Sequence, residues 1–473
     1  MGKIKFFGLL FIGGLLSLLS SCLGGDKYET EEWNYANAQI SSFSLESDEF
    51  NLSELKFTID KLNSKIYNKD SLPYGTVFEQ KVIATVGFDS PFGASSLFFI
   101  ETSTGDTVKS VADSIDFSEP VMITVYAYDG RTAKIYEASL NIHQVDPNEM
   151  VWEQFGEILP GKIFQEIKTL FFDDSYFMYV VENDEYQLFR SDVAGINNWE
   201  RLSLTGFPEH AILSQLAELE QTLYTVTEAG DIYYADDGQD WMPAECEFPV
   251  KSLLGSLPAD TISGRDAVLC CIADIEGLLR FITIDKQLNC TQGQAVPVEF
   301  PLSGFGRLNY ETRYYPRLVV ASGRDSKNNL SNMAWVTMNG VIWAPLSNPD
   351  ATFTFREGAA IAYYANSFFV IGGINEYGKA LNDIYFSIDQ GFTWNHEMYV
   401  LKEKEEDDSS EEDEYVLQPI FPMPDDYEPR GFASVIIDKD DYLLLFGGKA
   451  KKDTNIWNEI WRGRINYLGF GKE

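Results

Sequence analysis

Histidine is the scarcest residue in this chain: His143, His210 and His396 are the only three in 473 residues. Three scattered imidazoles, with no HExxH and no clustered CxxC spacing, leave a catalytic zinc site almost without ligands, and no metal is expected. Cysteine is nearly as sparse, with five residues. Cys270 and Cys271, adjacent in LCCIAD, point to opposite faces of a strand and read as small buried hydrophobes. A disulfide between Cys246 and Cys290 suits an oxidising compartment, but one sequence does not fix it. Basic residues are outnumbered 36 to 73, for a net charge of -37; this repels phosphate backbones and anionic head groups, so nucleic acid is not an expected partner. No GxSxG elbow, P-loop or dinucleotide fingerprint in proper context is present, and no cofactor is expected. Beyond residue 22, no apolar run is long and charge-free enough to span a bilayer.

The first residues are rich in what the rest lacks. Met-Gly-Lys-Ile-Lys precedes FFGLLFIGGLLSLLSSC, a basic n-region and an apolar segment too short to span comfortably; residues 1–21 read as a secretory signal. Leu19, Ser20, Ser21 and Cys22 resemble a bacterial lipobox. That resemblance implies that Cys22 is diacylated, that residues 22–36 are a tether, and that the protein is held at a membrane of the cell envelope, the outer membrane being expected, with its side left open. Residues 37–147 read as six or seven short strands (QISSFSL, LKFTID, VIATVGFD, SSLFFIET, EPVMITVYAYD, AKIYEASLNIHQ) punctuated by LPYGT and YDGRT. This pattern predicts a β-sandwich of immunoglobulin-like kind, with QVDPNE as the linker that follows.

Residues 151–470 repeat. VVASGRDSKNNLSNMAWVTMNGVIW, VIGGINEYGKALNDIYFSIDQGFTW and LFGGKAKKDTNIWNEIWRGRINY align on Gly323, on Gly372 and Gly373, and on Gly447 and Gly448. Each continues to an asparagine (Asn332, Asn382, Asn458) and an aromatic (Trp335, Tyr385, Trp461). The pattern resembles the kelch repeat, each copy being one four-stranded propeller blade. On that reading the strand before the glycines lies near the axis. Ser387, Asp389, Gly391, Thr393 and Trp394 form Ser-x-Asp-x-Gly-x-Thr-Trp, which resembles the Asp box of sialidase-type propellers, a structural turn between a blade's outer strands. Degenerate copies occur at YADDGQDW, through Asp236, Gly238 and Trp241, and at RSDVAGINNW, ending in Trp199. These marks give six blades, with seven as the alternative, and VWEQFGEIL at 151–159 is placed to close the ring. The acidic run near 402–415 reads as an insertion between blades.

The expected site is the funnel at the start of the innermost strands. Arg356 and Arg430 precede the glycine doublets by similar distances, and His210, Arg313 and Arg317 fall at comparable places. Basic residues at one layer of an acidic protein focus an anionic ligand such as a sugar acid; the competing reading is that they tie blades together through buried ion pairs. As a whole the chain resembles two-domain lipoproteins of Bacteroidales that carry an N-terminal sandwich and a kelch-like propeller, a resemblance covering most of 22–473 that implies location and shape but no activity. The expected function is non-catalytic binding of a glycan or an envelope protein. The alternative is a glycan-active enzyme, similar to a sialic acid mutarotase or a sialidase.

Overall fold

Strict alternation of buried and part-exposed positions along Val121–Ala127 makes that strand the middle of a half-buried sheet. In the computed structural model, which describes residues 34–470 apart from 48–51, 77–81, 109–113, 194–195, 197, 313, 347, 349, 402–414 and 453, the chain divides into two units, Met1–Asp146 and Pro147–Glu473. Among the described residues all regular structure is strand, apart from three 3-10 turns. No helix among the described residues is long and apolar enough to cross a membrane.

The N-terminal unit holds eight strands among its described residues, rather than six or seven. Six form one sheet, in the order Phe57–Asp60, Lys65–Asn68, Ala133–Ser139, Val121–Ala127, Ala94–Glu101, Thr107–Val108; the other two, Ile40–Glu46 and Ile83–Phe88, pair on their own. Lys65–Asn68 runs parallel to Ala133–Ser139, and every other pair is antiparallel. Phe43, Leu45 and Ala84 of the small sheet share one core with Ile66, Phe99, Ile123 and Tyr136 of the large one, so the unit is a sandwich of unequal sheets.

The second unit is a six-bladed propeller. Four blades are single four-stranded sheets, made from Glu166 to Leu202, Ala217 to Ala244, Val250 to Ala295 and Gly306 to Leu346. Blade 5 has three strands, Ala360–Tyr364, Ser367–Ile374 and Ala380–Ser387, with a single bridge from Phe386 to Asn395 beyond them. A hairpin of Glu397–Leu401 and Tyr415–Pro419 follows; residues 402–414 of the acidic run expected as an insertion lie outside the described ones. Blade 6 comprises Ser434–Ile437, Leu443–Phe446 and Glu459–Ile465, and its outermost strand is Met150–Glu157 from the start of the unit. That pairing closes the ring and leaves no open edge between first and last blade.

The innermost strand of each blade is its first; these strands touch round the ring, Ala360–Tyr364 for instance lying against both Gly306–Glu311 and Ser434–Ile437. This corrects the placement of the glycines. Gly372 and Gly373 end the second strand of blade 5, and Gly447 and Gly448 follow the second strand of blade 6. They are needed because neighbouring backbone arrives there: a Cβ on Gly372 (φ 58°) would lie 2.4 Å from the Arg430 carbonyl oxygen, and one on Gly323 (φ 96°) 2.6 Å from that of Ser303.

The Asp box is the turn between third and fourth strands. Asp389 accepts hydrogen bonds from the backbone N–H of Phe392 (3.1 Å) and Thr393 (2.8 Å) and from the Thr393 hydroxyl (2.6 Å), while Ser387 Oγ accepts from Gly391 N–H at 2.8 Å. Partial burial pushes the Asp389 pKa up, but the bonds from Thr393, Ser387 and Phe392 outweigh it and hold the carboxyl below its ordinary value. Trp394 lies buried and donates Nε1–H to the Gly391 carbonyl at 3.1 Å. Trp241 repeats the bond to Gly238, and Trp343 to Gly340. In blade 2 the turn-binding carboxylate is Asp237, which accepts from Gln239 and Asp240 N–H; Asp236 instead accepts from Thr222 Oγ1 at 2.6 Å. In blade 4 Asn339 takes the aspartate's place.

Candidate functional site: the central channel

The innermost strands of blades 1, 2, 4, 5 and 6 enclose a channel of about 920 Å³. Side chains alternate along a strand, so Glu166, Lys168 and Leu170 lie on one face of blade 1's first strand, and all three line the channel. Across it, Arg307 from blade 4 donates to the backbone carbonyls of Gln215 (3.5 Å) and Leu216 in blade 2. The facing wall is made of small residues, among them Gly358, Ala359, Ala360 and Ala433. Small side chains there leave the space that the two long cations reach into.

Neither Lys168 nor Arg307 makes an ion pair among the described residues. Lys168 is half-buried in the channel wall; lost hydration, and then the charge of Arg307, hold its pKa down at about 7. Lost hydration likewise lowers Arg307 to about 10. The same crowding raises the carboxyl of Glu166 above its ordinary value, with Lys449 opposing and Glu228 adding to the shift. Thr169 Oγ1, next to Lys168, is buried without a hydrogen-bond partner among the described residues. Lys168 and Arg307 reach into one cavity, where the charge of Arg307 is felt at Lys168, and an anion between them would supply the carboxylate partner that neither has among the described residues.

Phe432 lines the mouth in an unusual conformation. Its φ is 60°, in the left-handed region that a bulky side chain rarely adopts, at a cost on the order of 1–2 kcal/mol. Its N–H donates to the Gly358 carbonyl at 2.6 Å, and Gly358 N–H to that of Gly304 at 2.7 Å. A Cβ on Gly358 would strike the Phe432 ring at 2.8 Å, so the ring lies against that glycine. Phe305 lines the channel too, and a ligand at the cations has aromatic surface within the same cavity.

The basic residues expected in the funnel lie elsewhere. Arg356 is fully buried; it forks onto Asp383 at 2.7 and 2.9 Å and donates to the carbonyls of Gly372 and Thr354. Arg430 does the same with Glu459 (2.8 Å) and the carbonyls of Gly447 and Glu428. Neither lines the channel; each clasps its own blade, its guanidinium turned onto carbonyls and a carboxylate of that blade rather than towards the axis. His210 holds the corresponding position in blade 2, just before a bridge from Ala211 to Thr227 that matches those from Glu357 to Ile374 and Gly431 to Lys449. It is exposed and outside the channel lining. Arg317 opens a second strand at the opposite end of blade 4 and donates to Tyr310 Oη at 3.1 Å. Arg313 and Cys22 lie outside the described residues. Among the described residues no group of three or more His, Cys, Asp or Glu is placed to hold a metal ion.

Cys270 and Cys271 are buried in the second strand of blade 3, one in each of the two cores that flank it. Burial raises Cys270 to about 12, and Cys271 is also raised by burial. Cys246 and Cys290, from blades 2 and 3, approach to 3.5 Å between sulfurs.

This geometry defines a class: a six-bladed β-propeller, preceded by a small sandwich, with a cation-bearing axial channel. Residues 146–473 match the DUF6242 beta propeller domain, and residues 28–140 match the DUF6242 N-terminal domain, a domain of unknown function. The chain belongs to this two-domain family. A comparison with curated proteins returns no match. Among solved structures, one titled "Structure of YjhT" aligns with a TM-score of 0.45 and 10% identity over 64% of this chain and 96% of that one.

Proposed function

We propose that this is a non-catalytic, lipid-anchored protein of the bacterial cell envelope whose propeller takes an anionic ligand, a sugar acid or another carboxylate, into its axial channel. The observation that carries the reading is the pair Lys168 and Arg307, with no carboxylate partner among the described residues, inside a cavity of about 920 Å³. A carboxylate seated between them supplies the missing charge, while Phe432 and Phe305 offer faces to a sugar ring. The lipobox-like Leu19 to Cys22 and the basic, apolar segment before it support the anchor and the envelope location.

The test is binding of residues 27–473 to an array containing sialylated, uronic-acid and neutral glycans, beside Lys168→Met and Arg307→Met variants. Binding confined to acidic glycans and lost in both variants, with unfolding midpoints retained, is the expected result; binding indifferent to both substitutions would overturn the reading.

A second reading draws on one further observation. Glu166 and Lys168 share a strand face, and their pKa values are displaced towards neutrality, Glu166 upward and Lys168 downward. This is the condition for proton transfer near pH 7, and favours a glycan-active enzyme acting on a sugar acid. Exchange between anomers of a bound sugar acid, followed by NMR and abolished in Glu166→Gln, would establish it over simple binding.

A further inference from the structure

Tyr35, Phe92 and Tyr128 come from three separate loops of the N-terminal unit and meet as one cluster. Their ring centroids are 4.9 Å (Tyr35 to Phe92), 5.4 Å (Phe92 to Tyr128) and 5.8 Å (Tyr35 to Tyr128) apart, all mutually tilted. Despite this packing they stay 45%, 37% and 54% exposed. The backbone fixes them: Asp129 N–H donates to the Tyr35 carbonyl at 3.1 Å, and Phe92 N–H donates to Ser90 Oγ at 3.3 Å. Both oxygens of Asp129 are occupied by its own turn, accepting from Arg131 N–H, Thr132 N–H and Thr132 Oγ1. The cluster is therefore apolar surface whose neighbouring carboxylate is already engaged.

We propose that this cluster is a membrane-docking tip, its rings seated at the headgroup boundary of a zwitterionic bilayer. The inference rests on the anchored reading above. Tyr35 is 13 residues after Cys22 (35 − 22), a length of chain that reaches at most about 45 Å when extended. On the anchored reading the cluster thus lies within a short tether's reach of the acyl chains at Cys22. Tyrosine, with an apolar body and a polar tip, suits that boundary. The net charge of -37 excludes strongly anionic lipid. A saccharide is held by carboxylates beside the rings, and both oxygens of Asp129 already accept from its own turn.

The full acylated chain in phosphatidylcholine–phosphatidylethanolamine liposomes is exposed to hydroxyl radicals, then compared with the same chain released from its anchor by proteolysis in the tether. Tyr377 of the propeller, 84% exposed, is the internal reference. The expected result is at least a threefold fall in oxidation of Tyr35, Phe92 and Tyr128 on the liposome, with Tyr377 unchanged. Equal oxidation of the cluster in both states overturns the proposal, as does protection of the released chain by soluble oligosaccharides without lipid. A second arm needs no anchor: residues 27–473, whose described cores begin at Ala38, are titrated with the same vesicles. Weak binding at millimolar lipid, lost in Tyr35→Ser/Phe92→Ser/Tyr128→Ser, supports docking; no binding of the parent, or equal binding of the variant, overturns it. Failure of acylation at Cys22, read from intact mass, removes the anchor but leaves this second arm decisive.

Discussion

Replacing Lys168 by methionine is expected to stabilise the propeller in a strongly pH-dependent way. The lysine pKa falls from about 10.4 in an open chain to about 7 in the channel. Between those values the unfolded chain holds the extra proton, so native stability rises with pH across pH 7 to 10 as the uncompensated ammonium is relieved of its charge. Below pH 7 the full penalty applies. A fall from about 10.4 to about 7 corresponds to about 4–5 kcal/mol, which the partial exposure of the lysine reduces to about 2–4 kcal/mol, on the order of the cost of an unpaired charge. Methionine keeps the volume and removes the charge. Denaturant unfolding of the parent and Lys168→Met, followed by a probe in the propeller, should show the variant more stable by about 2–4 kcal/mol at pH 6 and by less than about 1 kcal/mol at pH 10. A variant no more stable at pH 6, or an advantage that does not shrink above pH 7, would refute the reasoning.

Other predictions concern the blades. Arg430→Ala takes the guanidinium from Glu459, which keeps its bond from Trp461 Nε1, and frees two buried carbonyls; it should cost about 2–4 kcal/mol in unfolding free energy while leaving ligand affinity per folded molecule unchanged. Asp389→Ala removes the acceptor of three hydrogen bonds from Phe392 and Thr393 and should cost about 1–3 kcal/mol. Because its pKa is lowered on folding, that contribution is present above the open-chain value near 4 and is lost as pH falls through the folded value, so parent and variant should converge in acid. Mild oxidation with a small disulfide should join Cys246 to Cys290, linking blades 2 and 3, and peptide mapping under non-reducing conditions should find that pair and leave Cys270 and Cys271 as thiols.

Architecture was legible wherever a residue type is dictated by backbone geometry. The doublets Gly372–Gly373 and Gly447–Gly448, the box from Ser387 to Trp394 and the closing strand around Trp152 each answer a steric or hydrogen-bonding demand of blade geometry. The same logic explains the misplaced arginines. Arg356 and Arg430 stand out because they keep the blade period, and a residue that keeps the period serves the blade. A ligand on the axis meets each blade once, so its contacts come from positions that break the repeat. Lys168 sits in a blade without a glycine doublet and Arg307 in GFGRLNY, a segment without a repeat partner; nothing in the sequence separates them from the other 34 basic residues (36 − 2). Alternation along the first strand of blade 1 would have put Lys168 on the channel face, once that strand was known to be innermost. Asp236 keeps the Asp-x-Gly-x-x-Trp spacing of the blade 5 box, yet Asp237, directly before the glycine, binds the blade 2 turn, as Asn339 before Gly340 does in blade 4.

The central claim is that an anion belongs between Lys168 and Arg307. Diffraction from crystals of the protein soaked in sodium iodide, with the anomalous signal of iodide recorded, tests it without knowledge of the natural ligand. The account predicts an iodide site in contact with both Lys168 Nζ and the Arg307 guanidinium, absent from crystals of Lys168→Met. An empty channel in crystals that bind iodide elsewhere would contradict it.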